Sequence, residues 1–141
     1  MIVLDTNVVS ETMRRIPNAA AIDWLDAQPR SDLYVCAPVL AEICYGIARL
    51  EASQRKRGLL QAYRQIVAEK FEGRILPFDT QAAEVYGELV AKLESDGRTI
   101  DVIDAMIAAI ALSNAATLAT RNLAHFAHTG LTLVDPFRAG Q

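Results

Sequence analysis

Acidic residues next to short apolar runs are the side chains of this sequence whose type and spacing could do chemistry. Asp5 follows the run Met1–Leu4, Glu42 follows Leu40 and Ala41, and Asp101 and Asp104 flank Val102 and Ile103. A carboxylate beside buried apolar protein is costly as a charge unless a cation compensates it. If these carboxylates converge, a divalent metal would relieve their repulsion. The pattern therefore predicts an acidic metal site.

The elements that must position these acids alternate along the chain. Uninterrupted apolar runs too short for helices are predicted as strands: Ile2–Leu4, Leu33–Ala37, Arg74–Phe78, Ala116–Thr120 and Leu131–Val134. Longer segments between them are predicted as helices: Asn18–Gln28, Pro38–Leu50, Ser53–Glu72, Thr80–Ser95 and Asp101–Asn114. Such alternation is typical of a parallel sheet covered on both faces. The predicted fold class is α/β, a three-layer α/β/α fold with a central parallel sheet.

Length and composition indicate one domain over residues 1–141, since 52% apolar content is enough for a single core. No apolar run approaches the roughly 20 residues that span a bilayer. The sequence opens on a strand-like run rather than a signal sequence, so we expect a cytoplasmic protein with no membrane attachment. Cys36 and Cys44 both lie in apolar segments and are interpreted as small buried residues.

The formal net charge of −3, from 17 acidic and 14 basic residues, argues against gripping nucleic acid by bulk positive charge. It does not exclude a phosphate substrate bridged by a metal. Basic residues that could position phosphates are Arg14, Arg15, Arg55-Lys56-Arg57 and Arg121. A run of charges is, however, more often only a solvated face.

Each acid has a structural alternative to a functional role. Asp5 ends a predicted parallel strand, where ligands bind, but could equally cap a helix begun by Thr6 and Asn7. Glu42 lies beside the apolar stripe of its helix and could simply be solvated.

Asp101 and Asp104 fall in the first turn of a helix that is apolar all round and therefore predicted to be buried. A capping arrangement, with Asp101 as N-cap and Asp104 as third residue, suits Asp101 better than Asp104. Asn122 follows a predicted strand and Arg121, where a polar residue can be a ligand or, more often, a turn former and helix cap. The pair His125 and His128 is interpreted as structural and left outside the site.

Four motifs in order resemble a PIN domain, and closely the VapC and FitB type of toxin from bacterial toxin–antitoxin pairs. They span nearly the whole chain: Leu4-Asp5-Thr6-Asn7-Val8-Val9-Ser10-Glu11, Ala41-Glu42, Ile100-x-x-x-Asp104-Ala105-x-Ile107-Ala108-Ala109 and Leu118-Ala119-Thr120-Arg121-Asn122. The resemblance implies a parallel sheet between helices and an acid cluster that binds Mg²⁺ or Mn²⁺. It also implies endonucleolytic cleavage of RNA.

Carried over by position, the resemblance implies that Asp5, Glu42 and Asp104 are the catalytic and metal-binding acids, with Glu42 as ligand or as base for the attacking water. Asp101 falls where the family fixes no residue. The fourth metal-site position often carries Asp in the family but is Asn122 here, which lowers the negative charge by one. Contacts to the ligands, or through water, are assigned to Thr6, Thr120 and Asn122.

The resemblance further implies a homodimer and a cognate antitoxin of the VapB or FitA type. Two other functions remain open. The start of the chain also resembles phosphatases of the haloacid dehalogenase type, but Asn7 replaces their second Asp. A module that binds RNA or a partner without cutting is the other alternative, and Asn122 is the feature in its favour.

Overall fold

Five parallel strands form one sheet in the order β3-β2-β1-β4-β5. The computed structural model describes residues 1–138, and the end of the predicted domain, residues 139–141, lies outside the described residues. Every strand lies within a predicted run, which confirms the strand prediction: β1 (Ile2–Leu4), β2 (Leu33–Cys36), β3 (Ile75–Leu76), β4 (Thr117–Ala119) and β5 (Leu133–Val134).

Helices flank the sheet, as the three-layer prediction requires. Within residues 1–138 they are α1 (Thr6–Thr12), α2 (Ala19–Asp26), α3 (Ala37–Ala48), α4 (Gln54–Gln65), α5 (Thr80–Ser95), α6 (Val102–Ser113) and α7 (Leu123–Phe126). The helix predicted over Ser53–Glu72 is wrong beyond Gln65, where a π-helical turn, Ile66–Lys70, follows α4. The short helices α1 and α7 fall outside the five predicted segments. No helix in the described part of the chain is both long and apolar enough to cross a bilayer.

The strand order places a crevice at one edge of the sheet. β1 lies between β2 and β4, so the chain winds away from β1 in both directions, and ligands bind in such sheets at the carboxyl ends beside this switch point. Asp5 and Thr120 directly follow β1 and β4. Only residues 114–116 join α6 to the start of β4, so α6 begins at the carboxyl-end edge. Its first turn therefore lies beside the crevice.

Two predictions of burial are wrong for residues outside the core. Cys36 is buried at the end of β2, but Cys44 is exposed on α3. Val102 is 60% exposed, whereas the middle of α6, from Ile107 to Ala111, is fully buried. The beginning of α6 at Val102 therefore lies at the protein surface, although Val102 is as apolar as the residues buried further along the helix.

We expect Leu118→Ala to lower the free energy of unfolding by about 2–5 kcal/mol, because Leu118 is fully buried in β4 and its removal leaves a cavity. Leu118 pairs with Val3 on one side and Leu133 on the other. Leu123→Ala is the matched control, since Leu123 is 36% exposed, and should change stability by about 0.5 kcal/mol or less. Urea unfolding of both variants checks this, and equal losses would contradict the described packing.

Candidate active site

Asp5 is held rigidly at the carboxyl end of β1 although it is only 3% exposed. Its Oδ1 accepts a hydrogen bond from the backbone N–H of Thr6 at 2.8 Å. Its Oδ2 accepts from the Thr120 hydroxyl at 2.7 Å and from Asn7 Nδ2 at 3.1 Å. The backbone N–H of Asp5 donates to the carbonyl of Ala119. Asp5 thus caps α1 and is tied to the end of β4, so both roles weighed from the sequence apply to one residue.

Asn7 is a positioning residue that sequence reasoning did not place in the site. Its Nδ2 donates to Asp5, and its Oδ1 accepts from the backbone N–H of Arg121 at 3.0 Å. Both ends of the amide therefore join α1 to the loop after β4. A neutral amide in these bonds does not supply the acid or base that the phosphatase alternative needs at this position.

Glu42 reaches the crevice from α3, which begins directly after β2 with Pro38 in its first turn. The carboxylate is half-buried, and its Oε1 accepts a hydrogen bond from the Thr6 hydroxyl. Thr6 therefore contacts two of the predicted acids, Asp5 through its backbone and Glu42 through its side chain.

Asp104 occupies the third position of α6 and is half-buried. Its pKa is raised from the ordinary 3.8 to about 6, first by burial and next by the negative charge of Asp5. The charges of Asp101 and Glu42 contribute to the same rise, while His125 opposes it. The three acids predicted from the sequence therefore lie close enough for their charges to act on one another.

His125, which sequence reasoning left outside the site, lies against one acid of the cluster. Its Nδ1 lies 3.3 Å from Asp104 Oδ2. The contact is tertiary: α7 follows β4 and packs against α6, which brings residues 21 positions apart together. His128 makes no ion pair within residues 1–138.

Asp101 occupies the predicted N-cap position of α6, but its side chain makes no capping hydrogen bond and is exposed. The expected capping role is therefore wrong for its side chain and right for its backbone, whose carbonyl accepts from the N–H of Ala105. At the end of β4, Thr120 is buried and accepts from the backbone N–H of Asn122, whose side chain is exposed.

The donor set consists of carboxylate oxygens, which suit a hard divalent cation. Within residues 1–138, no three acidic, histidine or cysteine side chains are arranged to hold an ion by themselves. Magnesium commonly keeps several waters and binds through one or two carboxylates. The arrangement therefore fits a partly hydrated ion rather than a closed protein cage.

Cys36 is unsuited to act as a nucleophile or ligand in this site. Burial, followed by the negative charges of Asp5 and Glu42, raises the pKa of its thiol to about 12. A thiol of this kind stays protonated and unreactive at neutral pH.

The fold and the acids together define an α/β/α protein with an acidic site at the switch point of a parallel sheet. A family model described as PIN domain matches residues 2–130, nearly the whole chain. The chain belongs to the PIN-domain family, as its motifs indicate.

Curated relatives match over full length. The plasmid stability protein StbB of Pseudomonas syringae pv. tomato is 41% identical, over 99% of this chain and 100% of the relative. The VapC ribonuclease Y4jK of Sinorhizobium fredii and the toxin FitB of Neisseria gonorrhoeae are each 36% identical over 97% of this chain, covering 98% and 99% of their own lengths. A solved structure of FitAB bound to an IR36 DNA fragment matches with a TM-score of 0.91 at 35% identity, over 100% of this chain and 99% of that one.

We expect Asp104→Asn to raise the melting temperature of metal-free protein at neutral pH. Because the pKa of Asp104 is about 6 in the folded chain and 3.8 ordinarily, the folded state binds the proton more tightly. Its stability therefore falls as pH rises from about 4 to about 6. Asn removes this dependence, so the variant's advantage over wild type should be small at pH 4 and full above pH 6. Thermal melts in chelator across this range measure it, with the exposed Asp23→Asn as control. A constant difference across pH would contradict the raised pKa of Asp104.

Asp5→Asn should have the opposite effect and lower stability at neutral pH. Both oxygens of Asp5 accept hydrogen bonds. In the Asn variant an NH2 group would replace one of these acceptors and would face a donor with which it cannot form a hydrogen bond. Chemical unfolding in chelator checks this, and a stabilised Asp5→Asn variant would overturn the hydrogen-bond assignment.

Proposed function

We propose that this chain is a metal-dependent endoribonuclease that acts as the toxin of a type II toxin–antitoxin pair. The observation that carries the proposal is the convergence of Asp5, Glu42 and Asp104 at the switch point, where their charges act on one another. The full-length relatives named as ribonuclease and toxin support it. The expected cofactor is Mg²⁺ or Mn²⁺.

Each acid has a distinct role in this proposal. Bound Mg²⁺ or Mn²⁺ supplies charge stabilisation for phosphoryl oxygens and lowers the pKa of water. Asp5 and Asp104 would hold the ion, with Asp104 in its deprotonated form. Glu42, oriented by the Thr6 hydroxyl, is a third ligand or the base that accepts the proton of the attacking water. Thr120 and Asn7 keep Asp5 in one orientation.

Asn122 favours a site for one ion rather than two. It lies next to the buried Thr120 and supplies no negative charge. The same feature favours the alternative of a PIN module that binds RNA or a partner without cutting. A cleavage assay with metal separates the two functions.

The proposed partner is an antitoxin of the VapB or FitA type, because FitAB is solved as a complex and matches the full length of this chain. The cluster of three carboxylates would attract a basic side chain of such a partner, which would compete with the metal for the same charge. A homodimer is also proposed, as the family resemblance implies.

Cleavage of RNA by the purified protein should require Mg²⁺ or Mn²⁺ and stop in excess chelator. Asp104→Asn should abolish it, because a neutral amide is a weaker ligand for a hard cation. Asp101→Asn is the matched control, since that exposed side chain makes no capping bond, and it should keep most activity. A gel assay on labelled RNA measures both. If Asp101→Asn loses activity and Asp104→Asn keeps it, the wrong carboxylate was assigned to the site.

Expression of the chain alone should arrest bacterial growth, and co-expression of its cognate antitoxin should restore growth. The Asp104→Asn variant should be harmless while accumulating to the same level. Growth curves with immunoblots test this. Undisturbed growth with folded, metal-competent protein would argue against a toxin and in favour of the non-catalytic alternative.

A further inference from the structure

An open groove of about 960 Å³ adjoins the acid cluster on the side of Glu42. Thr6 and Glu42 lie in its wall, so the groove opens onto the hydrogen-bonded pair that borders the site. Its other walls come from the end of α1 and from α3 and α4. A chain bound at the acids could therefore continue into this groove.

Three arginines from distant parts of the sequence line the groove. Arg14 and Arg15 follow α1, and Arg55 lies some forty positions later at the start of α4. None of the other basic residues that could position phosphates lines the groove. The Lys56 ammonium donates to the carbonyls of Ala48 and Leu50. The Arg121 guanidinium lies 4.5 Å from the ring centroid of Phe137. The structure therefore separates the basic residues that line the groove from those that do not, which the sequence could not do.

Two of the three arginines form no ion pair in the described part of the chain, so their guanidinium groups are available to a ligand. Arg14 pairs with the buried Glu11 at 3.3 Å. Arg15 and Arg55 form no ion pair within residues 1–138. Unpaired guanidinium groups suit phosphate oxygens, which they bind through two parallel hydrogen bonds.

The lining of the groove has space for a nucleic-acid backbone but offers no aromatic side chains on which bases could stack. Gly46 and Gly58 line it, and a Cβ added to either would meet nothing within 4 Å. No aromatic side chain lines the groove, so the stacking that holds individual bases is absent from its lining within residues 1–138. Contacts to phosphate position a strand without reading its sequence.

We infer that this groove binds the phosphodiester backbone of the RNA strand that flanks the cleaved bond, with Arg15 and Arg55 contacting phosphates. The inference rests on the proposed function. It deepens that function by giving the strand a direction away from the acids, past Glu42 and between α1 and α4.

The test compares Arg15→Ala and Arg55→Ala with Arg57→Ala, which removes the same charge from the same helix as Arg55 but outside the groove. Each variant is combined with Asp104→Asn, and binding of a labelled single-stranded RNA is measured in Mg²⁺ over a range of salt. Each lost phosphate contact should reduce the slope of log affinity against log salt concentration by about 0.7. A variant that binds like its parent in 1 M salt should therefore bind about fourfold more weakly than its parent in 0.15 M salt. The loss should be the same for RNAs of different sequence, and Arg57→Ala should bind like its parent.

A second set of variants adds a negative charge at a glycine and removes no arginine. Gly58→Glu places a carboxylate in the groove and should weaken RNA binding relative to Gly58→Ala. Gly87→Glu on α5 has the same open space around it but lies outside the groove, and it should bind RNA as the parent does.

Equal RNA affinity for the Arg15, Arg55 and Arg57 variants would overturn the inference. So would a loss of antitoxin binding in the first two with RNA binding unchanged, which would make the groove a surface for the protein partner. The proposed function fails differently, when wild-type protein does not cut RNA in Mg²⁺ or Mn²⁺. Binding measured in the Asp104→Asn background does not depend on that outcome.

Discussion

The hydrogen bond from the Thr120 hydroxyl to Asp5 Oδ2 is the interaction on which the rest of the site depends. It is 2.7 Å long, fully buried, and joins the ends of two neighbouring strands whose residues are 115 positions apart. Asn7 and the backbone of Thr6 complete the shell of donors around the same carboxylate. A buried charge is tolerated when it accepts several hydrogen bonds, so this shell allows Asp5 to remain at the edge of the core. Glu42 is then aligned through Thr6, which Asp5 holds by its backbone.

The remaining electrostatic conflict falls on Asp104. Asp5 accepts three hydrogen bonds and Glu42 accepts one from Thr6, whereas Asp104 has the partly exposed His125 beside it. Burial and the neighbouring charges therefore appear as a raised pKa at this residue. The protein keeps a carboxylate that its own structure leaves incompletely compensated, and such a group is available to a ligand of opposite charge. Function and stability thus oppose each other at one side chain.

Features that depend on local pattern could be predicted from the sequence, and features that depend on contacts between distant residues could not. The strands were predicted within a few residues, because a short apolar run bounded by polar residues has few alternatives once it is buried. The motifs pointed to Asp5, Glu42 and Asp104 as site residues, and the structure brings the charges of Asp5 and Glu42 to bear on Asp104. The His125 contact required the fold of α7 over α6, and the second role of Asn7 required the position of Arg121. Cys44 lies in an apolar helix yet faces solvent, because helix composition does not determine which side packs on the sheet.

The strand order has a consequence for the synthesis of the chain. β1 is made before both of its neighbours, and β4 follows only after α6, so the Thr120 hydroxyl that orients Asp5 is added long after Asp5 itself. Contacts between distant residues form late in folding, since the intervening chain must first be closed into a loop. A growing polypeptide that has emerged only as far as α5 carries Asp5 and Glu42 without Asp104, Thr120 or His125. The acidic centre is therefore completed only after α6 and β4 have been made, and fragments of interrupted translation that end before α6 cannot form it.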